Sequence, residues 1–295
     1  MRHALVFTAL VVAALRVPEV APPGLELGLL VAAIALVGVP HGALDVAYAA
    51  RLFELRSPAR WLTFVFGYLG LAGIVFLLWW DIPRLTLVGF LLVSAYHFGG
   101  DLAPGTGALL RVFHGATPLV LPAVFHSAEL VPLFGALVPA SSAELLVGYL
   151  GVLAPLLLVL LALGLLHLVT TAQRGARVRA ALPVGIEVAT TAALALLADP
   201  LIAFTVYFCG LHSIRHLART GRLFSLSRSR MLALAGPPMV GTLLLAGFAF
   251  VAVDPESVDV GLLQVTFVGL AGLTVPHMLL VEPWLRARAR DAAPA

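Results

Sequence analysis

The chain alternates long apolar stretches with short polar breaks. Apolar stretches fall at 4–20, 25–48, 61–80, 84–99, 109–137, 144–171, 181–198, 201–218, 231–253 and 260–284. Most approach or exceed the roughly 20 residues that a helix needs to cross a bilayer core. The breaks carry turn chemistry: Pro22-Pro23-Gly24, Asp81-Ile82-Pro83, Pro104-Gly105, Asp199-Pro200 and Asp254-Pro255. No ten-residue alternation of apolar and polar positions appears, which argues against a barrel. The pattern predicts an all-α fold, a polytopic transmembrane helical bundle of about 8–10 spans, forming a single integral membrane domain over 1–295. It contains neither a soluble domain nor an internal repeat. The N-terminal stretch has some likeness to a signal peptide but no clean small-residue cleavage site, and it reads as a short first span.

Composition sharpens this picture. The chain is 61% hydrophobic and 11% charged, with mean hydropathy +1.05. A soluble domain is roughly a quarter charged, so an aqueous fold is excluded. All 18 basic residues are arginine. Without a lysine amine, the chain cannot hold retinal as a Schiff base. Nucleic acid is excluded as a partner too, because the net charge is only +3 and the arginines sit in short loops. Those loops hold Arg51, Arg56 and Arg60, then Arg174, Arg177 and Arg179, then Arg219, Arg222, Arg228 and Arg230, and finally Arg286, Arg288 and Arg290. With ten spans and a cytoplasmic N-terminus, all four sets fall on one side, as the positive-inside rule requires. A multi-pass protein of the cell inner membrane, with lipid as its surroundings, is the expectation. The single cysteine, Cys209, lies in an apolar run and reads as a small core residue.

Candidate chemistry comes from the nine histidines. His3 is terminal and His167 stands alone among leucines. The rest occur in small, polar-tinged contexts: Pro40-His41-Gly42-Ala43-Leu44-Asp45, Tyr96-His97-Phe98-Gly99-Gly100-Asp101, His114-Gly115, His126, His212-Ser213-Ile214-Arg215-His216 and Pro276-His277. On the expected topology, His41, His97, His114, His212, His216 and His277 fall at one depth near the arginine-rich face, and His126 lies deeper. A polar group at membrane depth costs a few kcal/mol unless partnered, and is a functional candidate by default. His212 and His216 are spaced i,i+4, which turns both rings to one face of a helix. Asp45 and Asp101 follow His41 and His97 at the same spacing, where a carboxylate can accept a ring N–H and fix the tautomer, or ligate directly. Imidazole-rich sites suit zinc, copper, nickel or iron, and no thiolate set exists for an iron–sulfur cluster. Tyr96, Phe98 and Tyr207 are either core filler or the lining of an apolar tunnel beside the metal.

PHGALD at 40–45, YHFGGD at 96–101, the stretch from His114 to His126, FCGLHSIRH at 208–216 and PH at 276–277 resemble, in order, the motifs of the Brp/Blh family. These are the bacterial and archaeal membrane β-carotene 15,15′-dioxygenases, and the resemblance covers essentially the whole chain. It implies an iron(II)-dependent enzyme that splits the central double bond of β-carotene with O2. The product would be retinal, destined for a rhodopsin-type protein. It also implies His41, His97, His212 and His216 as the Fe2+ ligands and catalytic residues. His114, His126 and His277 fall in family-like motifs without an assigned role. Other readings compete, among them a b-type cytochrome whose paired histidines hold haem. A histidine-lined metal or proton transporter would place its site near the midplane. A membrane di-iron hydroxylase or desaturase would show several HxxxH or HxxHH boxes, and this chain has one HxxxH.

Overall fold

The computed structural model describes residues 1–16, 25–103, 105–172, 176–253 and 255–291. The breaks expected at Pro22-Pro23-Gly24, Pro104 and Asp254, and the loop residue Arg174, lie outside the described residues, as do the side chains of Arg177, Arg286, Arg288 and Arg290. Among the described residues every regular element is helical. In chain order these are α1 (Arg2–Ala14), α2 (Leu25–Ala33), α3 (Val39–Ala43), α4 (Asp45–Leu52), α5 (Pro58–Asp81), α6 (Pro83–Phe98) and α7 (Ala108–Val120). Then follow α8 (Ser127–Gly135), α9 (Ala140–Ala172), α10 (Ala176–Leu197), α11 (Pro200–Thr205), α12 (Ile214–Leu223), α13 (Arg228–Val253) and α14 (Val258–Asp291). Two π-helical segments interrupt the α geometry, Ile34–Gly38 and Val206–Ser213.

Helix starts follow the breaks in the sequence. Ser57 caps α5, accepting from Arg60 N, and Pro58 supplies the fixed φ of the first helical position. Asp199 caps α11 in the same way, accepting from Leu201 N at 2.8 Å, and Pro200 follows it.

Among the described residues, seven helical stretches are long and apolar enough to cross a membrane: Glu26–Leu52, Pro58–Asp81, Ala140–Ala172, Val178–Leu197, Pro200–Leu223, Arg228–Val253 and Val258–Trp284. The chain is therefore a multi-pass membrane protein. The expected stretch 109–137 is not one straight span. α7 and α8 meet at 107°, because Pro118 and Pro122 cannot donate to the helical ladder and the chain tightens into a 3₁₀ turn at Leu121–Val124. Counted as one broken span, this pair raises the total to eight. Among the described residues, the helices that fall in the stretches at 4–20 and 84–99 have 13 and 16 residues. At 1.5 Å per residue those are about 20 and 24 Å long, short of a roughly 30 Å core. Large apolar side chains face outward throughout: Trp80 is 91% exposed and Val152 75%. α13 buries only Ala235. Such surfaces are stable against hydrocarbon and not against water.

The chain divides into two compact units. The first combines Met1–Ala33 with Leu91–His212. Here α9 packs along α7, α8 and α10, and α1 lies on α10, where Thr8 and Thr190 hydroxyls meet at 3.1 Å. Leu110, Leu121, Leu157, Leu161 and Val188 form its apolar core. Glycine sets one close approach: a Cβ on Gly115 of α7 would stand 1.9 Å from the Ala95 carbonyl oxygen of α6. No side chain fits there.

The second unit combines Ile34–Phe90 with Ser213–Ala295. α14 packs on α5, α4 and α13, and α13 covers α3. Tyr48, Leu280 and Val281 form one buried cluster, and Ala43, Leu44 and Ala235 another.

Candidate functional site

In the second unit three histidines from three helices form a triangle. His41 stands on α3, directly after the first π segment; His216 stands on α12 and His277 on α14. Ring centroids are 5.4 Å apart for His41 and His216, 5.3 Å for His41 and His277, and 5.1 Å for His216 and His277. All three are buried. Pro276, inside α14, precedes His277 and removes one ladder hydrogen bond beside it.

Each ring is held from outside. His277 Nδ1 donates to Asp45 Oδ1 at 2.8 Å. The other carboxylate oxygen, Oδ2, accepts from the Tyr68 hydroxyl of α5, also at 2.8 Å. Asp45 is itself buried, at 3% exposure. A carboxylate in such surroundings needs both donors to offset its lost hydration. His41 Nδ1 faces the Gly38 carbonyl oxygen, with Ser213 Oγ 3.3 Å away. Tyr48, fully buried, tilts over His216 at 6.1 Å and meets Thr220 Oγ1 at 3.0 Å.

The first unit repeats the motif of tyrosine, carboxylate and histidine. His97, at the end of α6, and His212, in the second π segment, have ring centroids 4.7 Å apart. Asp101 follows α6 in a 3₁₀ turn, and both of its oxygens lie 3.1 Å from His212 Nδ1. Tyr207 donates its hydroxyl to Asp101 Oδ2 at 2.9 Å. Aromatic rings enclose the pair: Phe98 stands edge-on to His212 at 4.9 Å, and Phe208 stacks on it at 5.7 Å. His114, with 0% exposure, lies 6.0 Å from the Tyr207 ring.

Not every candidate joins these groups. His126 sits at the α7–α8 bend, where its Nε2 meets the Leu196 carbonyl oxygen at 3.2 Å. Tyr96 is 45% exposed on the flank of α6. Cys209 is buried within the second π segment. Tyr68 carried no signal beyond one hydroxyl in an apolar stretch. The two carboxylates follow His41 and His97 in sequence, yet the rings whose Nδ1 they hold are His277 and His212.

The donor chemistry fits a metal. A carboxylate or carbonyl oxygen only accepts, so Nδ1 of His41, His212 and His277 carries the proton and the lone pair resides on Nε2, the tautomer that metal-binding histidines use. Imidazoles bound to one ion through bonds of about 2.1 Å hold their ring centres roughly 4.6–5.3 Å apart for bond angles from right to tetrahedral. The observed separations run from 4.7 to 5.4 Å. As placed, no three His, Cys, Asp or Glu side chains among the described residues form a closed metal shell.

Fold and site together define a multi-pass membrane protein that carries carboxylate-held imidazoles in each of two units. Comparison makes the class specific: the chain belongs to the β-carotene 15,15′-dioxygenase family, whose model matches residues 32–285. The match begins just before the first π segment and takes in every histidine motif named above. The chain is 28% identical over 266 residues to the β-carotene 15,15′-dioxygenase of an uncultured marine bacterium, covering 85% of this chain and 91% of that one. It is 29% identical over 294 residues to the probable β-carotene 15,15′-dioxygenase Blh of Halobacterium salinarum, covering 87% and 83%. No solved structure matches the chain.

Proposed function

We propose that this chain is an iron(II)-dependent oxygenase of the cell inner membrane that cleaves the central double bond of β-carotene, or of a related carotenoid, with O2 to give two molecules of retinal. The family match over residues 32–285 is the observation that carries it. The ligands in this reading are His41, His97, His212 and His216. His277, a vertex of the same triangle as His41 and His216, joins them as a fifth candidate.

Bound iron supplies the O2 chemistry that imidazole-ligated, non-haem iron(II) with open positions is suited to. The chain's own residues do the rest. Asp45 and Asp101 hold the Nδ1 protons of His277 and His212, which fixes the tautomer and raises the basicity of Nε2. Tyr68 and Tyr207 hold those carboxylates in place. Phe98, Phe204 and Phe208 exclude water around His212, with Phe204 stacked on Phe208 at 5.4 Å. A carotenoid dissolves in the hydrocarbon where this protein resides, so the substrate arrives from the lipid, and its product passes on to a rhodopsin-type protein.

Iron analysis of purified wild type and of His41→Ala, His97→Ala, His212→Ala and His216→Ala tests the ligand set. Each folded variant is expected to lose most of its iron. Full iron content in any one removes that residue from the set.

A further inference from the structure

The second unit contains an open cavity of about 590 Å³ between α5 and α14. Its α5 wall is a single helical stripe, Arg60, Thr63, Phe64, Gly67, Tyr68 and Leu71, at the spacing of one helix face. The opposite wall is Pro276, Leu279 and Leu280 of α14. Phe53 and Leu55, from the chain between α4 and α5, close it near Arg60. This volume lies within the ordinary range for ligand sites, roughly 300–1,000 Å³.

The groove is polar at one end only. Arg60 donates to the Glu54 carbonyl oxygen at 3.0 Å, near the first turn of α5. Beyond Thr63 the lining is apolar or aromatic until Tyr68. The Tyr68 ring lines the groove while its hydroxyl bonds Asp45, which holds His277. Pro276, on the other wall, is the chain neighbour of His277. The inner end of the groove is thus two hydrogen bonds from the imidazole triangle on one side and one residue from it on the other.

Length identifies the occupant. Arg60 to Leu71 covers about 16 Å of helix axis at roughly 1.5 Å per residue. A C40 carotenoid is on the order of 30 Å long, comparable to the bilayer core, so one arm from end ring to central bond is on the order of 15 Å. We propose that the groove between α5 and α14 holds one arm of the carotenoid, end ring toward Arg60 and central double bond at the inner end between Tyr68 and Leu71, and so acts as a length gauge that selects the bond to be cut. This rests on the oxygenase reading above and deepens it.

Gly67 offers a test that leaves the fold alone. A Cβ there meets nothing within 4 Å, so Gly67→Ala adds a methyl in open space and Gly67→Phe carries a ring from the same position into the groove, its folding checked by iron content and gel filtration. Iron-loaded wild type, Gly67→Ala and Gly67→Phe are incubated with β-carotene without O2, and retained pigment and iron per chain are measured after gel filtration. Cleavage kinetics follow in air. Wild type and Gly67→Ala are expected to retain pigment, and Gly67→Phe to keep its iron but lose at least ten-fold in retained pigment and raise KM. Gly67→Phe that retains and cleaves β-carotene like wild type overturns the groove. Thr63→Trp, which shortens the outer end, is expected to shift cleavage off centre and give aldehydes of unequal length. Retinal as its sole product overturns the length gauge. Wild type that retains pigment yet leaves it uncut in air overturns the oxygenase reading and leaves the groove standing.

Discussion

At the scale of single residues, the two buried carboxylates are the decisive side chains. Asp45 accepts from His277 and Tyr68, and Asp101 from His212 and Tyr207. An amide at either position can turn its NH2 toward Nδ1, which reverses the tautomer and moves the lone pair off Nε2. Asp45→Asn and Asp101→Asn are therefore expected to weaken iron binding about 10–100-fold, read as iron retained against a graded chelator. Iron retention equal to wild type in both would show that the carboxylates do not set the metal-binding tautomer. Tyr68→Phe removes one hydrogen bond, worth about 1 kcal/mol net, and is expected to weaken retention by less than Asp45→Asn does.

Sequence singled out these aspartates as candidates but not the rings they meet. Asp45 and His277 are separated by 232 positions, a distance over which spacing arguments carry nothing. The i,i+4 rule assumes an unbroken α-helix, whereas the chain turns out of α geometry at Leu44 (φ −77°, ψ 0°) and tightens to 3₁₀ over Gly99–Asp101. The Tyr68 hydroxyl was invisible for a related reason: what it bonds lies on another helix.

At the scale of elements, glycine and proline do the shaping. Gly115 lets α7 approach the α6 backbone beside His114, and a methyl group there would stand 1.9 Å from Ala95 O. Gly115→Ala is expected to cost about 1–3 kcal/mol by overpacking, seen as a lower unfolding temperature in detergent. Gly67→Ala, in open space on α5, is expected to stabilise slightly, by about 0.5–1 kcal/mol. An equal response of the two would contradict the packing assigned to α6 and α7.

Helix locations were legible from apolar runs and from breaks such as Asp81-Ile82-Pro83 and Asp199-Pro200, because those runs meet lipid and those breaks cap or start helices. The 107° bend was not. Pro118 and Pro122 were visible as residues, but whether a proline kinks a span or ends it depends on what packs around it. Neither π segment announced itself. The first ends three residues before His41 and the second contains His212, and such local widening of a helix is often found at functional sites.

At the scale of the whole molecule, membrane residence and chemistry are two consequences of one composition. The apolar exterior that keeps the chain in lipid also places it where a carotenoid dissolves. Iron bound by the folded state and not by the unfolded one adds stability by mass action, about 2.7 kcal/mol at a hundred-fold excess over Kd. Stripping iron with a chelator is expected to lower the unfolding temperature in detergent and readdition of Fe2+ to restore it. An unfolding temperature indifferent to iron would contradict binding to the native fold.

Chemically, everything turns on a carotenoid being cut in the middle with O2. The most direct test is the product analysis of purified, iron-loaded protein given β-carotene in air. Retinal is expected as the only aldehyde, two molecules for each β-carotene consumed, with none formed by the iron-stripped protein. Untouched pigment from folded, iron-loaded protein would contradict it.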